Sequence, residues 1–406
     1  MKIIFTLICL FPAFYTSAQR CGTTNYLELN PAVRTYNNPA ARPSGNRDTS
    51  NNEVIIIPVV VHVLYNKNEQ NISDAQVQSQ IDALNKDYRR LNVDALNTPA
   101  PFKDVAADTR ISFCIAKVDP QGKYTTGIIH KYTNEPLFIA DDQVKFSSKG
   151  GDDAWDASRY LNLWVCNLSG SMLGYAVLPG SPAERDGVVI KYNAFGTIGT
   201  LTSSFNKGRT ATHEIGHWLG LRHLWGDADC GDDGIPDTPP QQTSNSFCPS
   251  FPHTSSCSEN SFGDMFMNFM DFTDDGCMNL FTQGQKAEMR GLFAKGSPRN
   301  SFLNSFVCDS SNAEEGPVVN PVKDSSAAPL ITAYPNPFNN EVTVSSENAD
   351  DVIGKILKLY TITGKLIVSQ KIQTQKSVLH LTNLPSGIYL LKIIGKDDSF
   401  VYKLVK

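Results

Sequence analysis

The chain has 406 residues, 41% of them hydrophobic, so it can bury a sizeable core and is long enough for two or three units. Its formal net charge is −5 and it has no long basic run, which argues against nucleic acid as a partner.

Residues 1–18 read as a signal peptide. Lys2 supplies a positive start, Ile3 to Phe14 a mostly apolar run, and Thr16-Ser17-Ala18 a small-residue cleavage site before Gln19. The run falls short of the ~20 apolar residues of a membrane span. Arg20, directly ahead of Cys21, does not fit a lipoprotein signal. Residues 19–50 are rich in Asn, Thr, Pro and Arg and have too few apolar side chains for a core of their own, as in a pro-segment removed near Arg42 or Arg47. Inside it, Arg20-Cys21-Gly22-Thr23 puts a thiol in a stretch expected to be flexible. A thiolate is a strong zinc ligand; the alternative is a disulfide from Cys21 to Cys308 or another leftover cysteine. Export carries eight cysteines into an oxidising compartment once Cys9 leaves with the signal.

Residues 51–308 carry the expected catalytic unit. Ile55 to Tyr65 is apolar on both faces, as a central covered strand requires. Ser73 caps a helix on which Val77, Ile81, Leu84 and Tyr88 keep a rhythm of threes and fours. Ile111 to Ala116, Leu161 to Asn167, Leu173 to Leu178 and Gly187 to Lys191 follow as strands. Cys114 and Cys166 lie in such runs and fit buried thiols as readily as disulfides.

The chemistry concentrates at His213-Glu214-Ile215-Gly216-His217-Trp218-Leu219-Gly220-Leu221-Arg222-His223. His213 and His217, four apart on a helix, leave one face about a turn from each other and suit one Zn²⁺. Gly220 takes a left-handed conformation at little cost and ends the helix, so that His223 returns as a third ligand. The open fourth position marks a catalytic rather than a structural zinc site, with Glu214 placed to reach a water there as general base. Next comes Asp227 to Thr238, crowded with hard oxygen donors: either a Ca²⁺ loop or a solvated acidic one. Cys230, Cys248, Cys257 and Cys277 lie in a long irregular stretch that needs staples, and the sequence allows three pairings. Thr282 with Gln285 forms a capping box that opens a helix to about Phe293.

Residues 309–329 are a Ser-, Asn-, Glu-, Pro- and Ala-rich linker. Residues 330–406 follow as short alternating strands: Glu341 to Val344, Lys355 to Thr361, Lys365 to Ser369, Ser377 to Leu381 and Gly387 to Ile394. This is a small all-β sandwich.

Several segments carry a family resemblance: the histidine stretch, Asp237-Thr238-Pro239, Asn268-Phe269-Met270-Asp271-Phe272 with the text to Thr282, Ile57 to Val63, and Ile72 to Gln76. Over roughly residues 54–295 they resemble the pappalysin family of metzincin metallopeptidases. The resemblance implies an α+β metzincin-like catalytic domain: a mixed twisted sheet, an active-site helix and a Met-turn, with Met270 packing beneath the metal. It implies a secreted zinc endopeptidase acting on proteins or peptides, with one catalytic Zn²⁺ and residues 173–178 as the edge strand above it. It favours Cys230–Cys257 and Cys248–Cys277 as disulfides, structural Ca²⁺ at Asp233, Asp237 and Thr238, and Cys21 as a zinc ligand in a latent zymogen. Phe272 departs from the family's tyrosine; an alternative reading is therefore a weakly active metzincin-like surface binding protein or adhesin. Ala333 to Phe338, Leu384 to Leu390 and the basic end Tyr402 to Lys406 are similar to the C-terminal sorting domain of the type IX secretion system. That likeness implies export through the periplasm, an outer-membrane secretion machinery as partner, and a secreted or cell-surface location. The alternative for this module is an Ig-like substrate-binding domain.

Overall fold

The computed structural model describes residues 20–29, 53–257, 262–309, 331–346, 352–361, 366–382, 384–395 and 399–406. The expected signal peptide, most of the pro-segment and nearly all of the linker lie outside the described residues. The chain divides into two compact units, Met1–Gly316 and Pro317–Lys406.

The first unit opens with a short helix, α1 (Thr23–Leu29), and the long strand β1 (Ile55–Tyr65). Helix α2 (Asp74–Tyr88) follows, with Ser73 Oγ accepting from the Gln76 amide as its N-cap, a bond worth about 1 kcal/mol. Strands β2 (Ile111–Ile115), β3 (Ile128–Tyr132), β4 (Leu161–Cys166), β5 (Gly174–Ala176) and β6 (Gly187–Lys191) complete one sheet in the order β2-β1-β4-β6-β5. All pairings are parallel except β5 on β6. One side of β1 is shared: Ile55 to Val59 pair with β2, and Val61 to Tyr65 pair with β3. Strand β3 went unread because its side chains are half-buried or exposed, so no apolar run announces it.

Helix α2 packs on β2 and on α3 (Arg209–Trp218), which in turn packs on β5 and β6. The core joins Val59, Val61 and Val63 to Val77, Ile81 and Leu84 and to Ala211, Ile215 and Trp218. Tyr26 and Leu27 of α1 belong to the same core. The segment around Cys21, expected to be a flexible pro-segment, is built into the unit: Cys21 is buried and bridges in parallel to Gly174 of β5. The physical reason is the apolar pair Tyr26 and Leu27, which a residue count over the whole segment dilutes.

Beyond α3 the described residues hold no helix or strand until α4 (Gln283–Gly291), which starts with the Thr282–Gln285 capping box and stops short of Phe293. Disulfides Cys230–Cys257 and Cys248–Cys277 staple this stretch; loops of that length gain about 3–4 kcal/mol each in the chain-entropy account. Cys114 pairs with Cys308, so Cys308 is not a partner for Cys21, and Cys166 is a buried free thiol.

The second unit is two antiparallel sheets: β10-β9-β12-β13 and β11-β8-β7. Five of its strands were read in the sequence: β8 (Glu341–Ser346), β9 (Ile356–Thr361), β10 (Leu366–Lys371), β11 (Lys376–His380) and β12 (Ile388–Ile394). Two more flank them, β7 (Ile331–Tyr334) and β13 (Ser399–Val405). The basic end is therefore a strand, with Leu404 buried and Val405 exposed.

Candidate metal centre

Helix α3 presents His213 and His217 on one face, and Gly220, at φ 86°, turns the chain so that His223 meets them. The three Nε2 atoms lie 3.0, 3.1 and 3.3 Å apart. Their Nδ1 atoms point outward, His213 to the Phe269 carbonyl at 2.7 Å and His217 to the Leu221 carbonyl at 2.9 Å. A carbonyl only accepts, so both rings carry their proton on Nδ1 and present a bare Nε2. His223 Nδ1 faces Asp227 Oδ1 at 2.5 Å. Three converging lone pairs repel one another unless a cation lies between them. Tetrahedral zinc ligands at about 2.0–2.1 Å would sit about 3.3 Å apart, close to the observed spacing. Burial, followed by the charges of His217 and His223, holds the pKa of His213 well below its ordinary value. Burial and then His223 bring His217 to about 3. Both rings are neutral, the form that ligates metal. The residues present fit the group.

Met270 is fully buried against the underside of α3, where a Cβ on Gly216 would come within 2.5 Å of its sulfur. The turn that carries it also supplies the Phe269 carbonyl. Asn268 fixes that turn by accepting from the Met270 amide and pairing with Gln285 of α4. Phe272 packs its ring 4.8 Å from that of His223 and 4.9 Å from that of Trp225.

Cys21 comes from a different region of the chain. Its Sγ and the three histidine nitrogens all lie within 4.8 Å of one another, the one such group of metal-capable side chains among the described residues. Burial, and then the neighbouring Glu214, push the thiol well above its usual range. Glu214 is fully buried; its Oε2 accepts from Thr23 Oγ1 at 2.9 Å and from Cys21 Sγ at 3.4 Å, while Oε1 has no partner. Burial pushes this carboxyl up to about 8, against the lowering influence of Cys21, Thr23 and Arg20.

Residues 20–23 run along the edge strand β5. Leu173 N donates to Arg20 O, Gly22 N to Gly174 O at 2.8 Å, and Ala176 N to Thr23 Oγ1 at 3.0 Å. Arg20 is 1% exposed and reaches Asp275 at 2.8 Å and the Thr273 carbonyl. A side chain on Gly22 would meet the Met172 sulfur at 2.6 Å, so Met172 would have to move aside to admit one.

The pairing of Arg20 with Asp275 is not visible in the sequence, because nothing local links positions 255 residues apart. Asp227 was read among the oxygen donors of the acidic loop; the structure turns it toward His223, a link that its four-residue spacing allowed. In that loop Asp233 Oδ1 accepts from Thr238 Oγ1 at 2.8 Å. Its Oδ2 has no partner, and burial pushes the carboxyl up to about 7. Asp237 is taken up at the start of α4, where it accepts from Thr282 Oγ1 and the Gly284 amide, each at 2.7 Å.

Comparison with known proteins bears on this geometry. Residues 145–294 match the family described as pregnancy-associated plasma protein-A, and residues 332–406 match a secretion-system C-terminal sorting domain. An extracellular metalloprotease of Arthroderma benhamiae is 32% identical over 242 residues, covering 57% of this chain and 74% of the relative. Mature mirolysin of Tannerella forsythia, solved with a cleaved peptide, is 51% identical with a TM-score of 0.61, over 62% of this chain and 96% of that one. A promirolysin mutant from the same organism is 46% identical with a TM-score of 0.67, over 70% and 97%.

Proposed function

The chain belongs to the pappalysin family and is a secreted metalloendopeptidase; from that premise we propose that it works with one zinc ion held by His213, His217 and His223, with Glu214 as general base, and is latent while Cys21 fills the fourth position. The observation that carries this reading is the convergence of the Cys21 sulfur and three Nε2 atoms beside the partnerless Glu214 Oε1. When bound, zinc lowers the pKa of a water toward ~7 and polarises the substrate carbonyl. The carbonyls of Phe269 and Leu221 and the Asp227 carboxylate keep the three rings in register. Glu214 takes the proton of the attacking water on Oε1 and returns it to the leaving amine nitrogen. Strand β5 holds an extended substrate by its main chain, in the position that Arg20 to Thr23 take in the precursor.

Thr23 and Cys21 engage Glu214, and Gly22 pairs with the edge strand, so the pro-segment blocks base, metal and substrate path together. Residues 20–23 run parallel to β5; with the substrate lying antiparallel to that strand, opposite in direction to the pro-segment, the Arg20 guanidinium on Asp275 supports a substrate preference for a basic residue just after the cut. Asp233, Asp237 and Thr238 are proposed to hold a structural Ca²⁺, supported by the partnerless Asp233 Oδ2. For the C-terminal unit we propose passage through the periplasm and recognition by the type IX machinery at the outer membrane. Deleting residues 330–406 should leave peptide cleavage intact and trap the enzyme in the periplasm; normal secretion of the truncated chain refutes that role.

The decisive test of the mechanism is Glu214→Ala. It should keep one zinc per chain by elemental analysis and lose about 10²–10⁴-fold or more in kcat/KM. Near-normal activity in that variant overturns the assignment.

A further inference from the structure

Helix α1 does more than carry the chain past the metal centre. Tyr26 is 0% exposed, and its ring stacks on Tyr175 of the edge strand at 5.4 Å between centroids. Its hydroxyl donates to Asp142 Oδ2 at 2.7 Å, and Arg185 lies beside the same hydroxyl as a donor. Burial first, and then Asp142, push the Tyr26 pKa up, so the group is a neutral phenol. The other Asp142 oxygen accepts from Tyr175 at 3.3 Å and pairs with Lys145 at 2.7 Å. Lys145 is itself fully buried, donates to the Arg185 carbonyl, and faces both tyrosine rings at 5.6 and 5.1 Å.

Asp142, Lys145, Tyr175 and Arg185 belong to the catalytic unit, while the ring they surround belongs to the pro-segment. When the pro-segment leaves, Asp142 Oδ2 loses the phenol and keeps Arg185 Nη1 at 3.7 Å, beyond hydrogen-bond reach, and the face of Tyr175 loses its partner. Lys145 already neutralises Asp142, so a basic side chain gains little there. An unsubstituted ring would cover Tyr175 and leave the carboxylate oxygen short of a hydrogen bond. A second phenol satisfies both. Asp142 sits at φ 66°, in the left-handed region, a strain that structures retain at functional positions.

The recess lies across the metal centre from Asp275. Along the edge strand Arg20 comes first at Leu173, Cys21 lies at the histidines beside Gly174, and Thr23 at Ala176 and Tyr26 on Tyr175 lie on the other side. Asp275, read above as the subsite for the residue after the cut, leaves the Tyr26 side to residues before it; the position of the new subsite rests on that reading. Tyr175 follows directly on the Gly174 that Cys21 bridges, so the recess opens about 3.3 Å further along β5 than the position of Cys21.

We propose that this recess is a specificity subsite of the processed enzyme and takes the phenol of a substrate tyrosine on the side before the cleaved bond. The test uses the processed enzyme and synthetic peptides with arginine after the cut. Tyrosine, phenylalanine or alanine is placed at each of the five positions before the cut. Tyrosine should exceed phenylalanine in kcat/KM by about tenfold or more at one of those positions, and Asp142→Asn should bring that ratio toward one. Equal rates for tyrosine and phenylalanine throughout overturn the proposal, as they would if Arg185 swings onto Asp142 and closes the recess. The peptide comparison uses the unaltered enzyme, so it does not depend on the folding of the Asp142 variant. Replacing the arginine by alanine separates the two readings. A tyrosine preference that survives without any arginine dependence sinks the Asp275 subsite and not this one.

Discussion

Two buried histidine environments in the catalytic unit look alike in exposure and differ in what surrounds their nitrogens. His62, in the middle of β1, is fully buried, with Nδ1 on Asp152 at 2.7 Å and Nε2 on the Asn162 side-chain oxygen at 3.1 Å. Its ring stacks on Trp164 at 5.2 Å, and both nitrogens are spoken for. The rings of His213, His217 and His223 are as deeply buried, yet their inner nitrogens face only one another and a sulfur. Burial therefore does not mark a ligand. Lone pairs left without a proton donor do, because the interior tolerates them only where a cation completes the set.

Substitutions in the two places should separate metal from stability. The largest effect is expected from His217→Ala in the processed enzyme, where Cys21 is gone and two ligands remain: zinc by elemental analysis and peptide turnover should both vanish. Full zinc content in that variant would make the cluster no more a metal site than His62. Next, Cys21→Ala should convert the precursor from latent to active, or to one that processes itself far sooner, read as peptide cleavage against time after purification. A precursor as latent as the parent would show that Cys21 is not the switch.

A smaller gain is expected from Phe272→Tyr. The ring already lies 4.8 Å from that of His223, and a hydroxyl there would add one transition-state hydrogen bond, worth up to about 10²-fold in rate. An unchanged rate in a folded variant means another group already serves. The smallest effect on activity belongs to His62→Ala. It should lower stability by about 1–3 kcal/mol in urea unfolding, since Asp152 and Asn162 lose a buried partner, while the zinc content per folded chain stays at one. A loss of zinc there would erase the contrast between the two sites.

The metal helix was legible because its information is local: a four-residue spacing on a helix, a glycine at the turn, and three rings within eleven residues. The central strand, the capped helices and five strands of the C-terminal unit were legible for the same reason, since apolar periodicity and caps act over a few residues. Strands β3, β7 and β13 were not, because their apolar signal is weak or masked by charge, and their pairing partners define them.

The sequence by itself brought out the three histidines and Glu214 as candidates, the central strand, the capped helices and the need for staples. The tertiary structure alone decided what those donors meet. It joined Arg20 to Asp275, Tyr26 to Asp142, Cys21 to the histidines and Cys114 to Cys308, across 255, 116, about 200 and 194 residues. Such contacts leave no periodic trace, because no helix or strand spacing relates their partners. They exist only once the sheet and α3 have packed, when a buried carboxylate or a bare nitrogen must find its partner from whatever part of the chain arrives there.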